Sequence, residues 1–111
     1  MREAEYQHGL IKRIRKRFPG CVIMKNDPNY IQGIPDLLIL HGKNWAALEV
    51  KRSARASHRP NQNYYVDKLR KMSYASFVYP ENEEDVMNEL QQALGSDWQA
   101  RTDVREQVSL D

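Results

Sequence analysis

Asp36, Glu49 and Lys51 are three residues of this 111-residue chain whose types and spacing can do chemistry together. Glu49 and Lys51 are two apart, so in a strand they project from one face. Residues 36–40 and 45–51 each read as a β-type run, and His41-Gly42-Lys43-Asn44 between them reads as a turn. With Gly42-Lys43 as a two-residue hairpin turn, Gly takes the first central position that a type II′ turn requires. His41 then faces Asn44, and Asp36 lies directly opposite Glu49. Side chains so opposed have Cβ atoms roughly 4.5–5.5 Å apart. Two carboxylates at that separation repel unless something compensates. A divalent cation is a natural compensator. Hard oxygen ligands, with no clustered Cys or His, suit Mg²⁺ or Mn²⁺ rather than zinc. Such an ion usually keeps waters and takes a substrate phosphate as well, which is the setting of phosphodiester hydrolysis. In that reading Asp36 and Glu49 hold the ion. Lys51 orients or helps deprotonate the attacking water, or neutralises charge growing on the phosphate. The plainer alternative is a salt-bridged hairpin in which the three side chains neutralise one another on a solvated face.

Other elements must carry this triplet. Residues 3–18 predict an amphipathic helix with Tyr6, Leu10, Ile11, Ile14 and Phe18 at helical spacing. Pro19-Gly20 stops it. Cys21–Met24 is a short strand, and residues 25–34 form a polar loop marked by Asp27-Pro28 and Gly33. After the triplet, residues 52–59 are a basic loop. Pro60 suits the first position of a helix that runs to Met72 and buries Val66, Leu69 and Met72. Ala75–Tyr79 is a fourth strand. Asn82 caps a third helix with Val86, Met87, Leu90 and Leu94 on its buried face. The expected architecture is α/β, a mixed sheet flanked by helices. Residues 1–95 make one domain, and 96–111 an acidic, partly ordered tail with Trp98 and Val104 as candidate anchors.

Two helix residues aim at the same place. At 100° per residue, Glu3, Gln7, Leu10 and Ile14 fall in one stripe, while Glu5 points away. Gln62 continues the line of Val66, Leu69 and Met72. Helix capping or solvation explains either residue equally simply.

Charge adds a partner class. Residues 1–80 hold 15 Lys and Arg against 6 Asp and Glu, a balance of +9. Residues 81–111 hold 2 against 9, a balance of −7. A basic body suits a polyanion such as nucleic acid. Arg52, Arg55 and Arg59 follow the triplet directly and are candidates for phosphate contact. Lys12 and Lys16 lie on the exposed side of the first helix, where a merely solvated face is the competing explanation. His8, His41 and His58 lack ligand spacing, and Cys21 and the Met residues read as core. No apolar run approaches the roughly 20 residues of a membrane span. The charged N-terminus does not read as a signal peptide, and one cysteine permits no internal disulfide. The expected compartment is a reducing cytoplasm, with no membrane partner.

Gly33-Ile34-Pro35-Asp36, then Glu49-Val50-Lys51 thirteen residues after Asp36, then Pro60-Asn61-Gln62, resemble the PD-(D/E)XK nuclease superfamily. The likeness is greatest to its virus-type replication-repair nuclease group, the VRR-NUC domains, whose small stand-alone members occur in phages. Glu3 followed by Tyr6-Gln7 and Leu10 is similar to that group's opening helix. The resemblance covers residues 2–94. It implies a restriction-endonuclease-like αβββαβ core with a four-stranded sheet, here followed by an extra C-terminal helix. It implies Mg²⁺-dependent cleavage of DNA, with Mn²⁺ able to substitute, in some members on branched DNA such as four-way junctions. It implies that Asp36 and Glu49, with Val50 between Glu49 and the lysine, belong to the metal site. Lys51 is then the catalytic lysine, Gln62 the helix residue that contacts the metal's water or the substrate, and Glu3 the auxiliary acid, with Glu5 competing for that role. It also implies a homodimer. A second reading is a non-catalytic nucleic-acid-binding module that keeps the fold without cleavage.

Overall fold

The structure is a computed structural model, and it describes residues 1–95. The expected acidic tail, with Trp98 and Val104, lies outside the described residues. Helix α1, Glu3–Arg17, places acids in its first turn and Arg15, Lys16 and Arg17 in its last. Both choices complement the helix dipole. Tyr6, Leu10, Ile11 and Ile14 form its buried stripe. The helix closes where Phe18 N–H donates to the Ile14 carbonyl at 2.9 Å, and Phe18 itself is buried in the core.

Three strands follow: β1, Val22–Lys25; β2, Leu37–His41; and β3, Asn44–Val50. They are antiparallel neighbours. Gly42 has φ +66°, and among the described residues no non-glycine residue has positive φ. That fits a type II′ turn, in which only the first central residue needs the left-handed region. The register runs from His41↔Asn44 to Leu37↔Leu48. The next pair outward is Asp36 and Glu49. Helix α2, Pro60–Met72, then crosses to β4, Tyr74–Val78, which pairs parallel with β3. A short 3₁₀ turn, Pro80–Asn82, leads into α3, Glu83–Leu94. The result is a mixed four-stranded sheet in the order β1-β2-β3-β4 with three helices.

The pleat sorts the side chains. Leu37, Ile39, Ala46, Leu48 and Val50 join the buried stripes of α1 and α3 in the main core. Truncating one such residue, Leu90→Ala for example, costs about 2–5 kcal/mol by the cavity rule. The opposite face forms a second cluster where Val66 of α2 meets Ala47 and Ala75. Glu49 and Lys51 alternate with Leu48 and Val50, so they belong to this α2 face. Tyr6 Oη donates to Glu83 Oε1 at 2.8 Å, and Arg13 Nε donates to Glu83 Oε2 at 2.7 Å, which locks α1 onto α3.

Four local expectations are corrected. Met72 is exposed rather than buried, because α2 packs on β3 and β4 and its last residue reaches the rim of an open groove. Asn82 does not cap α3 with its side chain. It turns back, accepting the Tyr79 N–H at 2.8 Å and donating to the Phe77 carbonyl at 3.1 Å. Cys21 is half-buried and precedes β1 rather than sitting inside it. Met24 is exposed on β1, although the Met residues read as core in the sequence.

Candidate active site

The candidate site lies where β2 begins and β3 ends. Glu49 is 3% exposed and Lys51 is 7% exposed, so two ionisable groups sit inside the protein. Isolated charges at such depth are costly unless partnered. Their partners are local. Lys51 Nζ donates to Gln62 Oε1 at 2.8 Å and stands 4.0 Å from Glu49 Oε2. Gln62 Nε2 donates to the same Glu49 oxygen at 3.2 Å. The backbone N–H of Lys51 donates to the Val78 carbonyl at 2.8 Å, extending the β3–β4 pairing through the lysine.

Gln62 also anchors its own helix. Its Oε1 accepts the Arg59 N–H at 3.1 Å. This is the reach-back half of a capping box, in which the third helical residue satisfies the N-cap donor. Capping and site-bridging, separate alternatives in the sequence, are therefore done by one carboxamide.

Asp36 is half-buried and accepts the Val50 N–H on Oδ2 at 2.9 Å. That bond ties the acid to the strand bearing Glu49. Val50 has its side chain fully buried in the main core, so it offers the site its backbone alone. Asp36 is held from behind as well. Asn26 N–H donates to the Asp36 carbonyl at 2.9 Å, and Asn26 Nδ2 donates to the Pro35 carbonyl at 2.8 Å. Gly33 packs this loop against the start of α2. Its φ is +87°, and a Cβ there would lie 2.3 Å from Asn61 Cβ. The glycine of the Gly33-Ile34-Pro35-Asp36 run is thus required both by conformation and by space.

The electrostatics follow from burial. Burial raises the Glu49 carboxyl pKa far above the usual carboxylate range; the Asp36 charge adds to this, Lys51 opposes it, and a hydrogen bond with Asp36 and the Glu3 charge push further up. Glu49 Oε1 has no hydrogen-bond partner although it is buried. Buried polar atoms are normally satisfied. Here the unsatisfied atom belongs to a carboxylate facing a second carboxylate.

Glu3 and Glu5 separate clearly. Glu5 pairs with Arg2 at 2.8 Å on the surface. The Glu3 pKa is raised, first by burial and then by the Asp36 charge, while Lys51 and Arg52 lower it. Of the two acids, Glu3 is therefore the one within the field of the site. Among the described residues, no group of three or more His, Cys, Asp or Glu side chains is placed to hold a metal ion. The donor set is accordingly the pair Asp36 and Glu49, with backbone beside it. Mg²⁺ commonly takes one or two carboxylates and fills its remaining positions with water and phosphate oxygens. The unsatisfied Oε1 and the all-oxygen donor set fit that requirement.

Arg52, Arg55 and Arg59 are exposed in the loop between β3 and α2. That loop is held at two points: Ala54 N–H donates to Glu81 Oε1 at 3.2 Å, and His58 stacks on Phe77 with ring centroids 3.9 Å apart. Lys12 and Lys16 are exposed on α1, whereas Arg13 is taken up by Glu83 and Arg17 by Asn88. Two positioning residues carried no clear signal in the sequence. Asn26 reads as a turn former and proves to hold the Asp36 backbone. His58 reads as a surface residue and proves to be the peg of the basic loop. Only its being an aromatic ring inside a polar loop could have marked it.

No family model matches the chain, and no curated protein matches it. Among solved structures, one described as a VRR_NUC domain protein is similar in fold, with a TM-score of 0.63 at 18% identity. The likeness covers 85% of this chain and 88% of that one. The chain thus shares the α/β fold of that structure, which among the described residues is a mixed four-stranded sheet with three helices.

Proposed function

We propose that this chain is a Mg²⁺-dependent DNA endonuclease that hydrolyses phosphodiester bonds, with Mn²⁺ able to substitute. The observation that carries the reading is the buried Glu49 carboxylate, with one oxygen unsatisfied, facing Asp36 beside a buried lysine. A hydrophobic pair would make a cheaper core at this position. The acids are instead kept, braced and turned toward each other, as a cation site requires. When bound, the ion would supply Lewis-acid stabilisation of the phosphate and a more acidic water. Asp36 and Glu49 would hold it, with the backbone at Val50 beside them.

The chain's own residues do the rest. Lys51 presents a charged donor within the site, where exclusion of water strengthens its attraction for a developing phosphorane charge. Gln62 keeps that ammonium in one orientation by accepting from it, and steadies Glu49 by donating to it. Glu3 adds a further negative charge at the edge of the site, near Asp36 and Lys51. Arg52, Arg55 and Arg59 would contact phosphates flanking the cleaved bond, and Lys12 and Lys16 would steer the polyanion along α1. None of these is a base-reading constellation. Selectivity for shape, as in branched or junction DNA, is the consequent proposal.

The test is incubation of the protein with plasmid and four-way-junction DNA in Mg²⁺, Mn²⁺ or EDTA. Cleavage is expected with either ion and is abolished by EDTA or by Lys51→Ala. Cleavage that survives either change overturns the mechanism. Binding without cleavage under all conditions identifies a non-catalytic DNA-binding module instead.

A further inference from the structure

The sheet face that carries Asp36 and Glu49 continues beyond them. The β2–β3 register pairs Leu38 with Ala47 and Leu40 with Trp45. Each pair lies two residues further along, so these side chains follow the acids on one face, about 7 and 13 Å away. They floor a groove of about 540 Å³ whose walls come from α2, through Leu69 and Met72, and from the loop that leads into Asp36. Pockets for small ligands hold roughly 300–1,000 Å³, so this one is sized for a ring system.

The lining limits which ring. Tyr30 and Trp45 bring two aromatic side chains to it, and Tyr30 is 85% exposed. Among the described residues, Asp27 is the sole charged member of the lining, in a chain with 17 Lys and Arg. A phosphate finds no cation in the groove, and a carboxylate meets a like charge. A flat neutral ring with an N–H on its edge matches both features: its π-face suits the aromatic side chains, and its donor suits Asp27. Asp27 is held for that task. Its Oδ1 accepts the Asn29 N–H at 2.8 Å, and its carbonyl accepts the Tyr30 N–H at 3.1 Å. One tight turn thus presents the acceptor and an aromatic ring together.

Every nucleobase is such a ring. Each carries an N–H on its pairing edge, which is occupied in a duplex and free in an unpaired base. Bases taken out of the stack are read in this way, through the pairing edge and by stacking on aromatic and apolar side chains. We propose that this groove binds an unpaired nucleobase of the DNA strand held at the candidate site, stacked on Tyr30 and Trp45 with its pairing-edge N–H donated to Asp27. The inference rests on the nuclease reading for its strand and deepens it. Shape selectivity becomes selection of a base without a partner, whatever its identity, because every base has a π-face. The groove is also tied to the chemistry. Asn26, in the same loop, holds the Asp36 backbone, so a base seated there braces that loop from outside.

The experiment measures affinity in EDTA for two duplexes of one sequence, one fully paired and one with a single unpaired thymine. The full chain is compared with its Tyr30→Ala, Asp27→Asn and Tyr64→Ala variants. Tyr64 is exposed on α2 outside the groove. All three substituted side chains are exposed, so circular dichroism should show an unaltered fold. The unsubstituted chain should bind the unpaired-thymine duplex more tightly than the paired one. Tyr30→Ala should weaken that binding about 10-fold or more, the scale of a lost base–aromatic stack. It should leave the paired duplex unaffected, and Tyr64→Ala should change neither. N3-methylthymine at the unpaired position keeps the ring and removes its N–H. The unsubstituted chain should bind it less tightly than thymine, and Asp27→Asn should not distinguish the two. On irradiation, 5-iodouracil at that position should crosslink to Tyr30 or Trp45, located by mass spectrometry. Equal affinity for the two duplexes, or none for either, overturns the proposal. So does a Tyr64→Ala effect equal to that of Tyr30→Ala, N3-methylthymine bound as well as thymine, or a crosslink outside the groove. Self-association that Tyr30→Ala abolishes while DNA affinity stays intact gives the groove to a second copy and overturns it too. A chain that cuts DNA with Mg²⁺ but shows none of these effects refutes this proposal alone. One that shows them all without cutting keeps it and refutes the nuclease reading.

Discussion

Lys51 Nζ donates to Gln62 Oε1 at 2.8 Å, joining the end of β3 to the first turn of α2 across eleven residues of sequence. The ammonium stands 4.0 Å from Glu49 Oε2 and closer to the amide than to the acid. Gln62→Ala is therefore expected to leave the Lys51 side chain in place but unaimed. Positioning losses of this kind act on the chemical step. Turnover under Mg²⁺ should fall about 100-fold with little change in KM. Steady-state kinetics on junction DNA checks this; a change confined to KM would assign Gln62 to substrate binding.

Glu49 makes metal-free stability depend on pH. Its folded pKa is pushed up to about 8, by burial first and then by Asp36, from an ordinary value of 4.5. Above 4.5 the unfolded chain releases this proton while the folded chain keeps it. The folded state then binds more protons, so stability falls as pH rises from about 4.5 to about 8, and this group contributes no further change beyond that. Thermal melts in EDTA should show the decline, and Glu49→Gln should flatten it. Added Mg²⁺ should raise the melting temperature more at the alkaline end, where its ligands are ionised. An undiminished slope in Glu49→Gln would assign the decline to other groups.

Gly33→Ala tests the loop behind Asp36. Alanine is strained at φ +87°, and its Cβ would collide with Asn61. A cost above about 1 kcal/mol is expected, or roughly 4–8 °C per kcal/mol for a domain of this size. Cleavage should fall along with stability, since the loop must shift. A variant with unchanged melting temperature and activity would show that the loop and α2 are not in contact in solution.

The basic loop is expected to act through phosphates. Each of Arg52, Arg55 and Arg59 that meets a phosphate should contribute about 0.9 to the slope of log affinity against log salt. Alanine at all three positions should flatten that slope and weaken binding alike for all sequences. His58→Ala, which removes the stack on Phe77, should weaken binding less, by loosening the loop without removing charge. Filter binding over a salt series separates the two effects.

Much of this molecule was legible in the chain itself. The hairpin register follows from the Gly42-Lys43 turn and the alternation of Asp36, Glu49 and Lys51. Because side chains alternate with a period of two, one correct turn places every side chain of both strands. The stripes of α1 and α3 were equally plain, since apolar residues recur at helical spacing and the core accepts them as a set. Tertiary structure alone decided the rest, because those outcomes rest on contacts between segments far apart in sequence. It brought Glu3 into the field of Asp36 and Lys51 while Glu5 paired with Arg2, and gave Arg13 to Glu83 rather than to solvent. It made His58 a peg by placing Phe77 beneath it. It left Met72 outside because α2 lies over only half of its sheet face. Local pattern states which side of an element is apolar. What covers that side is settled only when the elements pack.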